Sequence, residues 1–104
     1  IWRDVAHYVT FRPVIRSFRH KGLEELFERG RSSKVGSTLQ ARALRRLDRL
    51  HAAVRPEDMN LPGFHFHRLQ GKPVRFSIRV TGNWRLTFAW EGLDAVNVDL
   101  EDYH

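Results

Sequence analysis

The chain has 104 residues, no cysteine and a formal net charge of +6. This length supports one domain with a modest core, and the 41% hydrophobic and 12% aromatic content is typical of a folded chain. No apolar run approaches the roughly 20 residues that span a bilayer, and no signal-peptide core is visible, so we expect neither membrane insertion nor secretion. The absence of cysteine excludes a disulfide framework and cysteine-based zinc sites, and it fits a cytoplasmic location.

Positive and negative charges are concentrated in different parts of the chain. Residues 29–55 contain eight Lys or Arg and a single acid, Asp48. Residues 91–104 contain five acids and no Lys or Arg. The basic region favours a polyanionic partner such as nucleic acid, whereas the acidic end leaves a protein partner open as well.

The first part of the chain predicts an extension, a short strand and a helix. Residues 1–13 read as an N-terminal extension that ends at Pro13, and the β-branched start of Val14–Phe18 favours a strand. His20–Arg29 has the apolar spacing of a helix, and the following Gly30 is typical of a helix C-terminus.

A second helix is predicted from Ser37 to about Arg55. Ser37 and Gln40 have the spacing of a capping box, and Pro56 disfavours helical geometry in the residue before it. The core face of this helix is predicted to comprise Ala43, Leu44, Leu47, Leu50 and Val54. The opposite, basic helix face comprises Arg42, Arg45, Arg46 and Arg49. A solvated face is the alternative, although these arginines lack the glutamates at i−4 that often accompany them.

The remainder of the chain predicts an antiparallel sheet. Apolar residues alternate with polar ones over residues 74–80 and 84–90, and Gly82-Asn83 favours a tight hairpin through its tolerance of positive φ. Gly92 marks the next turn before a third alternating segment. The sequence therefore predicts an α+β fold, with two N-terminal helices packed on a small antiparallel β-sheet.

Cations and imidazoles are predicted on the sheet face that points away from the core. The alternation places Arg75, Arg79 and Arg85 there, with His65 and His67 on one face of a preceding strand. This arrangement predicts a cationic groove, and a solvated outer face is the alternative. No third ligand accompanies the His-x-His spacing, so we expect no metal site.

The chain ends in Glu101-Asp102-Tyr103-His104, which combines acids, a phenol and an imidazole. Such groups transfer protons near neutral pH. The alternating residues 95–100 before them predict a strand that would hold them in place. A solvated tail is the alternative interpretation.

Several motifs together resemble HigB-type toxins of the RelE/ParE superfamily. They are His20-Lys21-Gly22-Leu23, Asn60-Leu61-Pro62-Gly63-Phe64, His67-Arg68-Leu69-Gln70-Gly71, Asn83-Trp84-Arg85-Leu86-Thr87-Phe88 and the terminal tetrapeptide. The resemblance covers residues 14–104 in order and implies a RelE-like toxin domain over that range. Val14 stands where such proteins usually begin, in agreement with an added segment at residues 1–13.

The resemblance implies a ribosome-dependent mRNA endonuclease toxin that needs no metal or other cofactor and is neutralised by a helix-turn-helix antitoxin of the HigA type. It assigns catalytic roles to His67, Arg85, Asp102, Tyr103 and His104. The family often has Lys where this chain has Gln70, and neither Arg68 nor Lys72 occupies that position. A gyrase inhibitor of the ParE type and a non-catalytic RNA-binding domain are the alternatives.

RNA cleavage without a metal requires a base for the 2′-hydroxyl, a cation for the phosphorane and an acid for the leaving oxygen. Histidines suit either proton role, and arginine suits the phosphate because its guanidinium is a bidentate donor. We expect RNA or ribosome contacts from the basic residues outside the catalytic set. They are Arg42, Arg45, Arg46, Arg49, Arg68, Lys72, Arg75 and Arg79.

Overall fold

The computed structural model describes residues 15–102 and contains two α-helices followed by a four-stranded antiparallel sheet. The bounds are Lys21–Arg29 for α1, Ser37–Ala52 for α2, Pro56–Met59 for a 3-10 helix, His67–Arg68 for β1, Phe76–Arg79 for β2, Trp84–Glu91 for β3 and Asp94–Asp102 for β4. The predicted α+β class is confirmed. The proposed N-terminal extension, residues 1–13, lies outside the described residues. Among residues 15–102, no helix is both long and apolar enough to cross a membrane.

Helix α1 is bounded by two local signals. The Nδ1 atom of His20 accepts the backbone N–H of Leu23 at 3.1 Å, so an imidazole caps the helix start. Gly30 adopts φ 82° and donates its N–H to the carbonyl of Leu26 at 2.7 Å. Glycine enters this left-handed region without a Cβ clash, which is why the predicted helix end is confirmed.

Helix α2 begins without the predicted capping box. Gly36 is its N-cap residue, and no side chain accepts a hydrogen bond there. The amide of Gln40 instead donates to the carbonyl oxygens of Ser32 at 2.8 Å and Val35 at 2.9 Å. Gln40 therefore holds the preceding linker against the helix, and the capping-box prediction was wrong.

The end of α2 also differs from its prediction. The helix stops at Ala52 because the Asp58 carboxylate accepts the N–H groups of Val54 at 2.9 Å and Arg55 at 3.3 Å. Those bonds draw both residues out of the helix, and Arg55 is extended before Pro56, as expected for a residue that precedes proline. Val54 is 68% exposed, so its assignment to the core face was wrong.

The sheet has the strand order β1-β2-β3-β4, and the helices cover one face. The core joins both helices to the sheet through fully buried residues that include Leu23, Leu26, Leu47, Leu50, Met59, Ile78, Leu86 and Phe88. The predicted alternation in β2 and β3 is confirmed. It turns the intervening side chains to the face that the helices do not cover, which we call the uncovered face, although Ser77 and Thr87 are buried there.

Two local features of the sheet differ from the sequence predictions. Neither Gly82 nor Asn83 has positive φ, because the β2–β3 connection is wider than a tight hairpin. It is closed by the N–H groups of Val80 and Thr81, which both donate to the carbonyl of Trp84. The predicted N-terminal strand appears as two isolated parallel bridges to β4, one from Ile15 and one from Phe18.

Candidate active site

Strand register brings the predicted cationic residues together on the uncovered face. His67 pairs with Ser77, which pairs with Thr87 in the next strand. The neighbouring row runs from Arg79 through Arg85 to Glu101. Residues that are directly opposite in adjacent strands point to the same face, so the two rows form one continuous surface.

A small pocket of about 210 Å³ lies at the end of this surface. We call it the site pocket. It is lined by His65, His67, Ser77, Arg79, Thr81, Gly82, Trp84 and Arg85. The pocket combines imidazoles with guanidinium groups, as the sequence predicted, although the two histidines do not lie on one strand. His65 has φ 49° and precedes β1, which is only two residues long.

The imidazoles in the site pocket have defined hydrogen-bonding roles. His67 Nδ1 lies 3.0 Å from the carbonyl oxygen of His65. A carbonyl can only accept, so this contact requires the proton on Nδ1 and leaves the Nε2 lone pair of a neutral ring able to take a proton. His65 Nε2 lies 3.4 Å from Arg79 Nη1, which can only donate. His65 Nε2 is therefore the acceptor toward Arg79, whereas His67 contacts the backbone through its Nδ1 atom.

A partly buried polar cluster lies beside the pocket and links β3, β4 and the residue that precedes β2. Glu101 Oε2 accepts from Thr87 Oγ1 at 2.5 Å and from Arg75 Nη1 at 2.7 Å. Burial by itself would raise the pKa of Glu101. The hydrogen bonds from Thr87 and Arg75, with the positive charges of Arg75 and Arg85, outweigh burial and hold this pKa below its usual value.

The end of β4 carries Glu101 and Asp102, the first two residues of the C-terminal motif. Asp102 is the last residue of β4 and pairs with Trp84, whose side chain lines the site pocket. Tyr103 and His104 follow directly and lie outside the described residues. The prediction that a strand carries this motif is confirmed for Glu101 and Asp102.

The other predicted RNA contacts do not all share one surface. Arg68 and Lys72 are exposed but do not line the site pocket. Gln70, which stands where the family often has Lys, is exposed in the same β1–β2 connection. Within residues 15–102, no group of three or more His, Asp or Glu side chains is arranged to hold a metal ion.

The basic helix face is divided into two pairs. Arg46 Nε donates to the carbonyl of Arg79 at 2.9 Å, and Arg42 Nη1 lies 3.5 Å from the carbonyl of Val80. Arg45 and Arg49 are exposed on the helix surface. One pair therefore points toward the β2–β3 connection and the other toward solvent, a division that helical spacing alone did not reveal.

Five pocket residues were not among the predicted site residues, although the sequence placed the first of them beside the cationic groove. They are His65, Ser77, Thr81, Gly82 and Trp84. Ser77 lies between the predicted cations of β2, and Trp84 was assigned only to the core-facing row of β3. The alternation already indicated that Ser77 faces outward. Nothing in the sequence indicated that Trp84, at the beginning of its strand, also borders the pocket.

The sequence matches one family along most of its length. Residues 16–104 fit the family described as the RelE-like toxin of the type II toxin-antitoxin system HigB. The chain belongs to the HigB-like toxins.

This HigB-like toxin is 38% identical over 92 residues to the endoribonuclease HigB of Proteus vulgaris, a match that covers 88% of this chain and 100% of the relative. It is 32% identical over 89 residues to the toxin HigB-1 of Vibrio cholerae, a match that covers 83% of this chain and 94% of the relative. The family resemblance drawn from the motifs is confirmed.

Proposed function

We propose that this HigB-like toxin is an endoribonuclease that cleaves mRNA on translating ribosomes without a metal ion. The observation that carries this proposal is the site pocket, in which His67 and Arg85 lie beside the strand end that bears Asp102. The relative from Proteus vulgaris is named an endoribonuclease, in agreement with this chemistry.

The proposed reaction is an in-line attack by the 2′-oxygen on the adjacent phosphorus. The base removes the 2′-hydroxyl proton, the bond to the 5′-oxygen breaks, and the acid protonates that leaving oxygen. Arg85 is proposed to stabilise the phosphorane through charge-assisted hydrogen bonds. His67 and His104 are proposed to share the base and acid roles, with Asp102 and Tyr103 orienting the terminal imidazole and the RNA.

The ribosome is proposed to supply the positioning that the protein lacks. The site pocket is small and open on an exposed sheet face, so a flexible RNA would seldom adopt in-line geometry there. Positioning of reactants can contribute on the order of 7–11 kcal/mol at its upper limit. Free RNA should therefore be a poor substrate. We propose that Arg45 and Arg49 contact ribosomal RNA, with Arg68 and Lys72 as outlying RNA contacts.

A type II toxin has a cognate antitoxin, and family membership gives this toxin one. We propose that the antitoxin is a helix-turn-helix protein of the HigA type, whose charges complement the basic body of the toxin. Because the proposed targets are ribosomes, we also propose a cytoplasmic location.

Primer extension on ribosomes that translate a reporter mRNA tests the nuclease function. We expect codon-positioned cuts that persist in EDTA and disappear in His104→Ala. The control variant is Arg31→Gln, which changes an exposed linker residue outside the site pocket and should retain cleavage. Intact mRNA together with stalled DNA gyrase would overturn the proposal in favour of the gyrase inhibitor. Ribosome binding with neither mRNA cleavage nor stalled gyrase would indicate a non-catalytic RNA-binding protein.

The ribosome contact has its own test. Phosphate contacts lose affinity steeply as salt rises, and each one lost reduces the slope of log affinity against log salt by roughly 0.7–0.9. Arg45→Gln/Arg49→Gln should therefore co-sediment more weakly with ribosomes and show a shallower salt slope than the wild type. Unchanged co-sedimentation across the salt series would remove these residues from the mechanism.

A further inference from the structure

A second and larger groove adjoins the site pocket on the α2 side of the β2–β3 connection. Its volume is about 840 Å³, and it shares His65, Arg79, Thr81, Gly82 and Trp84 with the site pocket. The shared residues form a common wall, so a ligand that fills one space can continue into the other. We call this space the flanking groove.

The flanking groove carries positive charge without neutralising acids. Its charged lining side chains are Lys34, Arg42, Arg46 and Arg79, and no Asp or Glu occurs among the lining residues within the described range. Arg45 and Arg49, on the same helix, do not line it. The groove is therefore a distinct cationic surface, because only some of the arginines of α2 line it.

One of these cations, Arg46, is held in place by the fold. The guanidinium of Arg46 lies over the ring of Phe64, 4.5 Å from its centroid, and its Nε donates to the carbonyl of Arg79. Burial lowers the pKa of Arg46, and repulsion from the nearby charges of Arg42 and Arg45 lowers it further. A bound anion would relieve that repulsion, and side chains that are already ordered lose little entropy on binding.

We propose that the flanking groove binds the phosphates of the substrate RNA strand next to the scissile phosphate. Lys34, Arg42 and Arg46 then hold the backbone of the strand as it leaves the site pocket. This assignment rests on the proposed endonuclease function. It separates Arg42 and Arg46, which position the substrate, from Arg45 and Arg49, which are proposed to contact ribosomal RNA.

The lining favours an RNA strand over an acidic protein segment. A strand cut in the site pocket must leave it along a continuous surface, and the flanking groove shares a wall with that pocket. Trp84 lies at the junction and offers an aromatic surface on which an unpaired base can stack. Phosphate backbones and single-stranded bases match this combination of cations and one aromatic ring.

Binding of a short fluorescent 2′-O-methyl RNA tests the proposal, because this single strand lacks the attacking hydroxyl and cannot be cleaved. The affinity of the full chain is measured across a potassium chloride series. We expect Lys34→Gln/Arg42→Gln to make the slope of log affinity against log salt shallower by about 1.4, or about 0.7 for each lost contact. The matched control, Arg29→Gln/Arg31→Gln, removes the same charge from exposed positions outside the groove and should leave this slope unchanged.

A second variant guards against a folding artefact. Asn83→Asp adds a negative charge to an exposed groove position without removing a cation, and it should also weaken binding of the oligonucleotide. Melting temperatures check that all variants are folded. Equal slopes for the groove variant, the control and the wild type would overturn the proposal, as would normal binding by Asn83→Asp.

Two further arms identify the source of the phosphate and the class of partner. If Lys34→Gln/Arg42→Gln binds vacant ribosomes more weakly but binds the oligonucleotide normally, the groove contacts ribosomal RNA, and the substrate assignment is overturned. If the same variant loses only its affinity for the antitoxin, the groove binds an acidic protein, and the substrate assignment is likewise overturned. If the wild type fails to cleave mRNA on ribosomes but the salt slopes differ as expected, the nuclease function fails while the RNA-binding groove stands.

Discussion

Arg75, the residue just before β2, and Arg79, the last residue of β2, project to the same uncovered sheet face, yet their surroundings are opposite. Arg75 donates to Glu101 at 2.7 Å in a partly buried ion pair. Among the described residues, Arg79 has no acidic partner, and it borders both the site pocket and the flanking groove. The comparison teaches that the face on which a cation lies does not decide its role, because a neighbouring carboxylate determines whether it can meet a phosphate.

This difference assigns two functions to one sheet face. At the Arg75 end, an ion pair and the Thr87 hydroxyl hold the last strand against its neighbours, and Asp102 follows immediately in the chain. We infer that this end positions the C-terminal motif. At the Arg79 end, cations and imidazoles line an open pocket, where we propose that the RNA is cleaved.

The largest expected effect tests the reactive end of the face. Arg85→Gln removes the charge that we propose stabilises the phosphorane, and loss of one such donor typically lowers the rate about 100- to 1,000-fold. The measurement is single-turnover mRNA cleavage on translating ribosomes, with Arg31→Gln as the control of equal charge. A cleavage rate within a few-fold of the wild type in a folded Arg85→Gln protein would contradict this role.

The next effect tests the positioning end. Glu101→Gln removes a carboxylate that accepts two side-chain hydrogen bonds. A hydrogen bond to a charged group contributes about 1.5–3 kcal/mol to stability. We expect the free energy of unfolding at neutral pH to fall by roughly that amount, as measured by urea denaturation. Asp48→Asn is the matched control, because Asp48 is exposed and forms no ion pair within the described residues.

The pH dependence of this loss follows from the direction of the pKa shift. The pKa of Glu101 is lower in the folded protein than its usual 4.5, so the ionised carboxylate stabilises the fold. That stabilisation is complete above the usual pKa and is lost as the pH falls through the lowered value. The stability difference between the wild type and Glu101→Gln should therefore shrink on acidification over that range. A difference that stays constant with pH would contradict the ion-pair role.

The smallest effect compares the two arginines directly. Arg79→Gln should make the salt slope of oligonucleotide binding shallower by about 0.7, the value for one lost phosphate contact with a single strand. Arg75→Gln should leave the slope unchanged, because its guanidinium is already paired with Glu101. Equal slope changes in both variants would show that the ion pair does not withdraw Arg75 from RNA.

A third variant sharpens this comparison by releasing Arg75. In Glu101→Gln the guanidinium of Arg75 loses its carboxylate and becomes available to phosphate. The salt slope of that variant should be steeper than the wild-type slope by about 0.7. A slope equal to that of the wild type would show that Arg75 lies outside the RNA path whether or not it is paired.

The sequence by itself determined the features that depend on near neighbours in the chain. Alternation defined the inner and outer faces of β2 and β3, Gly30 ended α1, and the motifs identified the toxin family. These signals are local because side-chain direction in a strand and the cost of positive φ depend on a few adjacent residues. The prediction was wrong where a side chain had an alternative hydrogen-bond partner. Gln40, for example, donates to the preceding linker instead of capping α2.

Only the tertiary structure decided which outward-facing residues meet. Arg75 and Glu101 are far apart in sequence, and their ion pair depends on the register of three strands and on the irregularity between Thr87 and Ala89. A shift of one residue in that register would turn every side chain of a strand to the other face. In the same way, the packing of α2 against the β2–β3 connection divides its arginines into two pairs. Such contacts are set by how elements pack, and no local pattern in the sequence records them.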